Sequence, residues 1–200
     1  FLDCGKAARV DGCRNWPNPP LDLPSLNIDH HPDNTYFGDL NLVDPKACAT
    51  ASIVFDVLKT AKLVITPEIA TDLLMGVVMD TGGFRFDNSD PAAFETAAEL
   101  MRQGGDYMRV VKSMFFTKPM GLFKLEADIG LNHLKTAFDG QFAYFMLDPS
   151  LLKKYQLSRK DTEGLIDMVR LIDGVQLAAL FTPKEEGGFR VSLRSENHAY

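Results

Sequence analysis

The sequence predicts an α/β protein built from two units, and three observations carry that reading. Short apolar runs alternate with helix-period segments through the first hundred residues, the pattern of strands layered against helices. Three helix starts in that stretch share one grammar, a capping side chain followed by proline: Asp44-Pro45, Thr66-Pro67 and Asp90-Pro91. The C-terminal segment then repeats strand, helix, strand, turn and strand on a smaller scale. These signals divide the chain into a larger α/β domain over 1–106, a helical connector over 107–138 and a smaller α/β domain over 139–200.

Taken in order, Phe1-Leu2-Asp3 reads as the end of a buried strand, so the chain is expected to start inside a domain. Four prolines in "GCRNWPNPPLDLPSLN" (12–27) exclude a regular helix and predict a surface loop leading into the Leu26-Asn27-Ile28 strand. Asp44 is expected to cap a helix with Ala47, Ala51, Val54, Phe55 and Leu58 inward. Thr66-Pro67-Glu68 opens a second, with Ile69, Leu73, Leu74 and Val77 as its buried stripe up to "VMDTGGFRF". Asp90-Pro91 opens a third, with Phe94, Ala97, Ala98 and Met101 inward and Gly104-Gly105 as its stop. Residues 106–138 read as helical, without strand signal, and interrupted at Pro119 and Gly121. Beyond them "GQFAYFMLD" is a strand, 161–172 a helix, "VQLAALFT" a strand, "PKEEGG" a turn and "FRVSLRS" a strand.

Composition narrows the function. The 200 residues are 46% apolar, enough for a sizeable core. No apolar run approaches the roughly 20 residues of a membrane span. A net charge of −6 argues against a broad electrostatic grip on long nucleic acid, while leaving room for a small anionic ligand neutralised locally. Cys4, Cys13 and Cys48 are odd in number and without paired spacing, which favours a reducing compartment and free thiols. A zinc site from Cys4, Cys13 and the histidines is the alternative, with no C-x-x-C to support it.

Acids and histidines stand at the ends of apolar runs: Asp3, the cluster Asp29-His30-His31, Asp80 and, more weakly marked, Asp39 and Asp44. In an open α/β sheet such ends are where ligands collect. Carboxylates together with imidazoles suit Mn, Fe or Zn better than Mg or Ca, and two cations bridged by carboxylates can activate water against a phosphoryl group. Each residue also has a plainer reading. Asp3 can cap a helix or turn, the histidines can sit on a solvated loop, and Asp80 before Thr81-Gly82-Gly83 can be a turn residue.

Three motifs in order, "FLDCG", "DHHP" after an apolar strand and "MDTGGFRF" after an apolar helix, resemble the DHH phosphoesterase superfamily. The segment ending "GGFRVSLRS" resembles the DHHA1 domain attached to many of its members, and the short connector most resembles the bacterial oligoribonuclease and pAp-phosphatase group. The resemblance implies a DHH domain with a mainly parallel sheet flanked by helices. It makes Asp3 and Asp80 carboxylates shared by two metals and His30 a metal ligand; Asp29 orients its neighbouring histidine, and His31 faces the scissile phosphate. The cofactor implied is a manganese pair, with magnesium or cobalt as substitutes. An H-x-x-x-D-x-D segment is expected upstream of Asp3 and a G-G-G-H loop soon after Tyr200; nothing in this chain matches either.

In "FRVSLRS", Phe189, Val191 and Leu193 alternate with Arg190, Ser192 and Arg194. The polar face is either a solvated sheet surface or a phosphate site, which arginine suits through bidentate bonds; the DHHA1 resemblance implies nucleotide binding by Arg194 and Ser192, and more weakly by Arg190. The expected function is hydrolysis of short oligoribonucleotides to nucleoside 5′-monophosphates, with removal of phosphate from pAp. The alternatives are a cyclic-dinucleotide phosphodiesterase and an inactive nucleotide-binding module. The expected partners are short RNA or a small nucleotide, without long nucleic acid or membrane, in a cytoplasmic protein for which a homodimer is allowed.

Overall fold

The computed structural model describes residues 1–9, 23–162, 164–184 and 186–195. Cys13, Trp16 and most of the proline-rich segment therefore lie outside the described residues. The chain divides into two compact units, Phe1–Thr117 and Lys118–Tyr200.

In the first unit β1 (Leu26–Asp29) pairs in parallel with β2 (Leu40–Val43), Leu26 against Leu40 and Asp29 against Val43. On the other edge of β1, Leu2 bridges Ile28 in parallel, with Asp3 N–H donating to the Ile28 carbonyl at 3.0 Å. Three parallel segments thus end side by side, and Asp3, Asp29 and Asp44 fall at their carboxyl ends. Four helices follow: α1 (Thr50–Thr60), α2 (Pro67–Asp80), α3 (Pro91–Arg102) and α4 (Tyr107–Phe115). Phe55, Leu74, Val77, Val78, Ala97, Leu100 and Val110 form their common core.

Two of the three expected caps stand where the grammar placed them, Thr66 accepting from Ile69 N–H and Asp90 from Ala93 N–H. The third does not. Asp44 closes a turn through Lys46 N–H at 2.9 Å, and α1 begins only at Thr50. The intervening backbone is used elsewhere, since the Ala47 and Cys48 carbonyls accept from His30 and Asn88. The buried stripe of α3 is also rotated from the expected one: Ala93, Ala97 and Leu100 are inward, while Phe94 is 52% and Met101 48% exposed. Phe94 instead stacks on Phe84 with ring centroids 4.7 Å apart.

The second unit is a four-stranded sheet in the order β3 (Lys135–Ala137), β4 (Phe142–Met146), β5 (Leu177–Pro183), β6 (Phe189–Ser195). Only β4 and β5 are parallel. α5 (Met120–Asp128) runs on through a π-turn to His133, and its Leu125 and Ile129 enter the same core as Phe145, Leu147, Val169 and Leu180. The segment expected as one connector is thus split between units, α4 packing on α2 and α5 joining the second core. β3 had no sequence signal. Two short helices, α6 (Pro149–Lys154) and α7 (Leu165–Arg170), flank a 3-10 turn at Arg159–Thr162, with Gly164 at φ +81° separating turn from helix. The helix expected over 161–172 is broken at that glycine, and α6 repeats the acid-proline grammar at Asp148-Pro149.

The register of β6 decides which face its side chains take. Arg194 lies opposite Ala178, Ser192 opposite Leu180 and Arg190 opposite Thr182. Ala178 and Leu180 are buried, so the polar set shares the face of the sheet that carries the core. Phe189, Val191 and Leu193 take the other face and are 53%, 46% and 50% exposed.

Candidate active site

β1 carries polar residues where an apolar strand would be expected, and they build the site. Asn27 and Asp29 are fully buried, a position tolerated only when every polar atom is bonded. Asp29 accepts from His31 Nδ1 at 2.7 Å with one carboxylate oxygen and from Asn34 Nδ2 with the other. Asn34 also donates to Asn27 Oδ1 at 2.8 Å and accepts from Tyr36 N–H at 2.6 Å. Its orientation is thereby fixed. Burial alone would push the Asp29 carboxyl up, but the bonds from His31 and Asn34 outweigh it and hold it below its ordinary value. The same bond is the first cause of a raised His31 pKa, with burial opposing it and the Asp3 and Asp33 charges adding to it.

His30 is set by a different partner. Its Nδ1 lies 3.2 Å from the Ala47 carbonyl, which can only accept, so Nδ1 carries the hydrogen and Nε2 is the free donor atom of the neutral ring. That Nε2 faces two carboxylates, Asp3 Oδ1 at 3.6 Å and Asp80 Oδ2 at 3.5 Å. Asp3 accepts from Thr50 Oγ1 at 2.9 Å, in the first turn of α1, and holds a left-handed backbone at φ +54°. An L-residue pays about 1 kcal/mol for that conformation, and aspartate tolerates it better than most. Asp80 ends α2; burial first, then the Asp3 charge, pushes its carboxyl up. Behind it Asn88 Nδ2 bridges the Asp80 and Cys48 carbonyls at 3.1 and 2.8 Å. The turn after Asp80 requires glycine: Gly82 has φ +57°, and a Cβ there would lie 2.5 Å from the Phe86 ring.

The structure therefore brings Asp3, His30, His31 and Asp80 together with Asp29 behind them. Ligand atoms of Asp3, His30 and His31 all lie within 4.8 Å of one another. Two carboxylates converging on one imidazole nitrogen form a mixed oxygen and nitrogen donor set, which a divalent cation that accepts both fits. Cys4 and Cys48 are free thiols and take no part in the cluster.

Arg190, Ser192 and Arg194 are in the second unit, where they line a cavity of about 780 Å³ together with Arg159, Lys160 and Lys184. Arg194 Nε lies 3.8 Å from Asp167. The sequence reading missed Arg159, Lys160 and Lys184, and in the first unit it missed Asn27, Asn34, Thr50 and Asn88. Asn27 had a signal, a polar residue between Leu26 and Ile28. The Ala47 carbonyl had none, because a backbone acceptor leaves no trace in residue type.

No protein-family profile matches the chain. Curated relatives do. It is 32% identical over 194 residues to a Thermus thermophilus protein described as bifunctional oligoribonuclease and PAP phosphatase NrnA, covering 97% of this chain and 56% of that protein. A Streptococcus mutans protein described as the probable equivalent is 31% identical over 172 residues, covering 86% and 54%. The Bacillus subtilis protein of the same description is 25% identical over 197 residues, covering 97% and 60%. The chain thus spans little more than half the length of these relatives. A crystal structure of an exopolyphosphatase-related protein from Bacteroides fragilis superposes with a TM-score of 0.84 at 22% identity, over 97% of this chain and 57% of that one. That likeness shows the α/β fold. The resemblance to the oligoribonuclease and pAp-phosphatase group holds along nearly the whole chain.

Proposed function

We propose that this chain carries the metal site and the substrate-binding unit of a divalent-metal phosphoesterase that cleaves short oligoribonucleotides to nucleoside 5′-monophosphates and removes phosphate from pAp. One observation carries the reading: His30 Nε2, freed by the Ala47 carbonyl, faces the Asp3 and Asp80 carboxylates at 3.6 and 3.5 Å. The descriptions of the relatives supply the substrate class.

Asp3, His30 and Asp80 would hold the cations, with manganese the best match to a mixed carboxylate and imidazole set and magnesium or cobalt as substitutes. When bound, the metals supply charge neutralisation at the phosphoryl group and activation of water. The protein's own share is positional. The Ala47 carbonyl keeps His30 in one tautomer, Thr50 holds the Asp3 carboxylate, and Asn88 anchors the backbone of Asp80. His31, whose Nδ1 hydrogen goes to Asp29, presents Nε2 to the phosphate and can hand a proton to the leaving oxygen. In the second unit, Arg194 and Ser192, with Arg190 beside them, bind substrate phosphate.

A short RNA or a nucleotide is the partner, and no long strand is required of an acidic chain. We place the protein in the cytoplasm, the compartment that free Cys4 and Cys48 favour; no described helix is long and apolar enough to cross a membrane. A homodimer is included in the reading, supported by the exposed Phe189, Val191 and Leu193 face, and light-scattering mass measures it. The test of function is a product assay on the complete gene product with manganese, offering pApA, pAp, cyclic di-AMP and pyrophosphate in parallel. AMP from pApA and pAp is expected. Preference for the cyclic dinucleotide, or no hydrolysis at all, would overturn the reading.

A further inference from the structure

The cavity of the second unit holds more positive charge than one phosphate can use. Arg159 and Lys160 reach it from the 3-10 turn, Lys184 from the end of β5, and Arg190 and Arg194 from β6. Glu186 is the carboxylate in its lining. Among the described residues five cations line the cavity with that one acid, the opposite balance to a chain whose net charge is −6. Among the described residues Arg159, Lys160, Lys184 and Arg190 make no ion pair, whereas Lys118 and Lys154 of the same unit pair with Glu126 and Asp128.

The cations are also spread out. Arg190 and Arg194 are four residues apart on one face of β6, about 13 Å along the strand. Lys184 N–H donates to the Gly188 carbonyl at 3.1 Å, which places Lys184 at the Arg190 end; Arg194, leaning toward Asp167 on α7, marks the other. Leu152 and Pro183 add partly buried apolar wall. A cavity of this volume is in the range that encloses small ligands.

We infer that Lys184 and Arg190, with Arg159 and Lys160 of the same cavity, form a second phosphate subsite, so that the cavity selects nucleotides carrying two or more phosphate groups over nucleoside monophosphates. This rests on the reading that the second unit binds nucleotide. It gives the proposed reaction a direction: a substrate such as pApA or pAp engages both ends, whereas AMP engages one and leaves more readily.

The experiment is equilibrium binding to the complete gene product in EDTA, since every lining residue lies in the second unit and binding there needs no cation at Asp3 and His30. The probes are AMP, pAp, pApA and pyrophosphate, and the variants are Arg159→Gln and the pair Lys160→Gln with Lys184→Gln. These side chains are exposed, and unchanged thermal melting verifies folding. The wild type is expected to bind pAp and pApA at least about tenfold more tightly than AMP, as one further charge-assisted contact provides. The variants should lose most of that margin while AMP binding holds. Equal affinity for AMP and pAp, or variants that weaken both alike, would overturn the subsite while leaving nucleotide binding in place. Pyrophosphate binding as tightly as pAp would replace the nucleotide class with bare polyphosphate. Binding of none of the four would remove the nucleotide reading of the unit and the subsite with it.

Discussion

Asp29→Asn changes one atom's chemistry and leaves volume intact, so its effect can be worked out bond by bond. The carboxylate accepts from two side chains, from His31 Nδ1 at 2.7 Å and from Asn34 Nδ2. An amide accepts with one atom and donates with the other. Asn34 cannot turn to suit it, because its Oδ1 is held by Tyr36 N–H and its Nδ2 also serves Asn27. The new amide oxygen must therefore stay on Asn34, and its NH₂ must face His31 Nδ1. That nitrogen then has to accept, which moves the His31 hydrogen to Nε2 and excludes the doubly protonated ring. Two readouts follow. In metal-free protein the His31 pKa, raised in the wild type first by the Asp29 bond, should fall from its wild-type position because that bond and the Asp29 charge are gone while burial remains. Turnover of pApA should drop about 10- to 100-fold, the usual cost of losing the partner that orients a site histidine, or about 1.4–2.7 kcal/mol of barrier. Histidine ¹⁵N shifts through a pH titration read the first and steady-state kinetics the second. His31 keeping its Nδ1 hydrogen, or turnover within roughly twofold of wild type, would refute the reasoning.

Asp80→Asn should abolish most activity, by more than about 100-fold, because it weakens a ligand and not merely a ligand's support. In metal-free protein it should not destabilise: Asp80 has a raised folded pKa, a contribution present at low pH and lost as pH rises through that value, so removing the ionisation removes the loss. Near wild-type turnover with manganese present would discard the metal assignment. Arg194→Ala should weaken dinucleotide binding and spare metal binding, and unchanged dinucleotide affinity counts against its phosphate role. Asp128 accepts from Lys154, Asn132 and Tyr155 and is held far below the ordinary carboxylate range, first by Lys154. Its contribution is therefore complete above about pH 4 and lost as pH falls toward the depressed folded value. Thermal melts from pH 6 to pH 2 should show that loss in the wild type and a shallower one in Asp128→Asn; equal slopes would refute it.

What could be read from the sequence was what side-chain type and period encode. Thr66 and Asp90 announced their helices because capping is local chemistry. Asp44 misled by the same rule. The segment after it carries the right residues for a helix, but its carbonyls are committed to His30 and Asn88 across the fold, and α1 waits until Thr50. The inward face of α3 failed for a related reason, since Phe94 found a better partner in the Phe84 ring than in the core. The short β3 and α6 have too few residues for periodicity to register. The convergence of Asp3, His30, His31 and Asp80 came from motif order, and spacing alone left plainer readings open for each of them.

The two candidate sites hold their side chains in opposite ways, and the contrast argues for a division of labour. In the first unit His30, His31 and Asp3 are each tied to a neighbour, His30 to the Ala47 carbonyl, Asp3 to Thr50 and His31 to a buried network of Asp29, Asn34 and Asn27. Cutting such a bond inside the protein leaves an unsatisfied buried atom at about 1–3 kcal/mol, so the arrangement resists thermal drift. Bond-breaking chemistry needs that, because a misplacement of about 1 Å can cost a hundredfold in rate. In the second unit Arg159, Lys160, Lys184 and Arg190 are exposed, long and without ion-pair partners among the described residues. Their attraction for phosphate falls off slowly with distance and tolerates several rotamers. A set of groups built that way can gather and hold a charged substrate without fixing a reacting atom, so the proposed function puts its chemistry at the tied cluster of Asp3 and His30 and its recognition at the exposed charges of β6 and its neighbours.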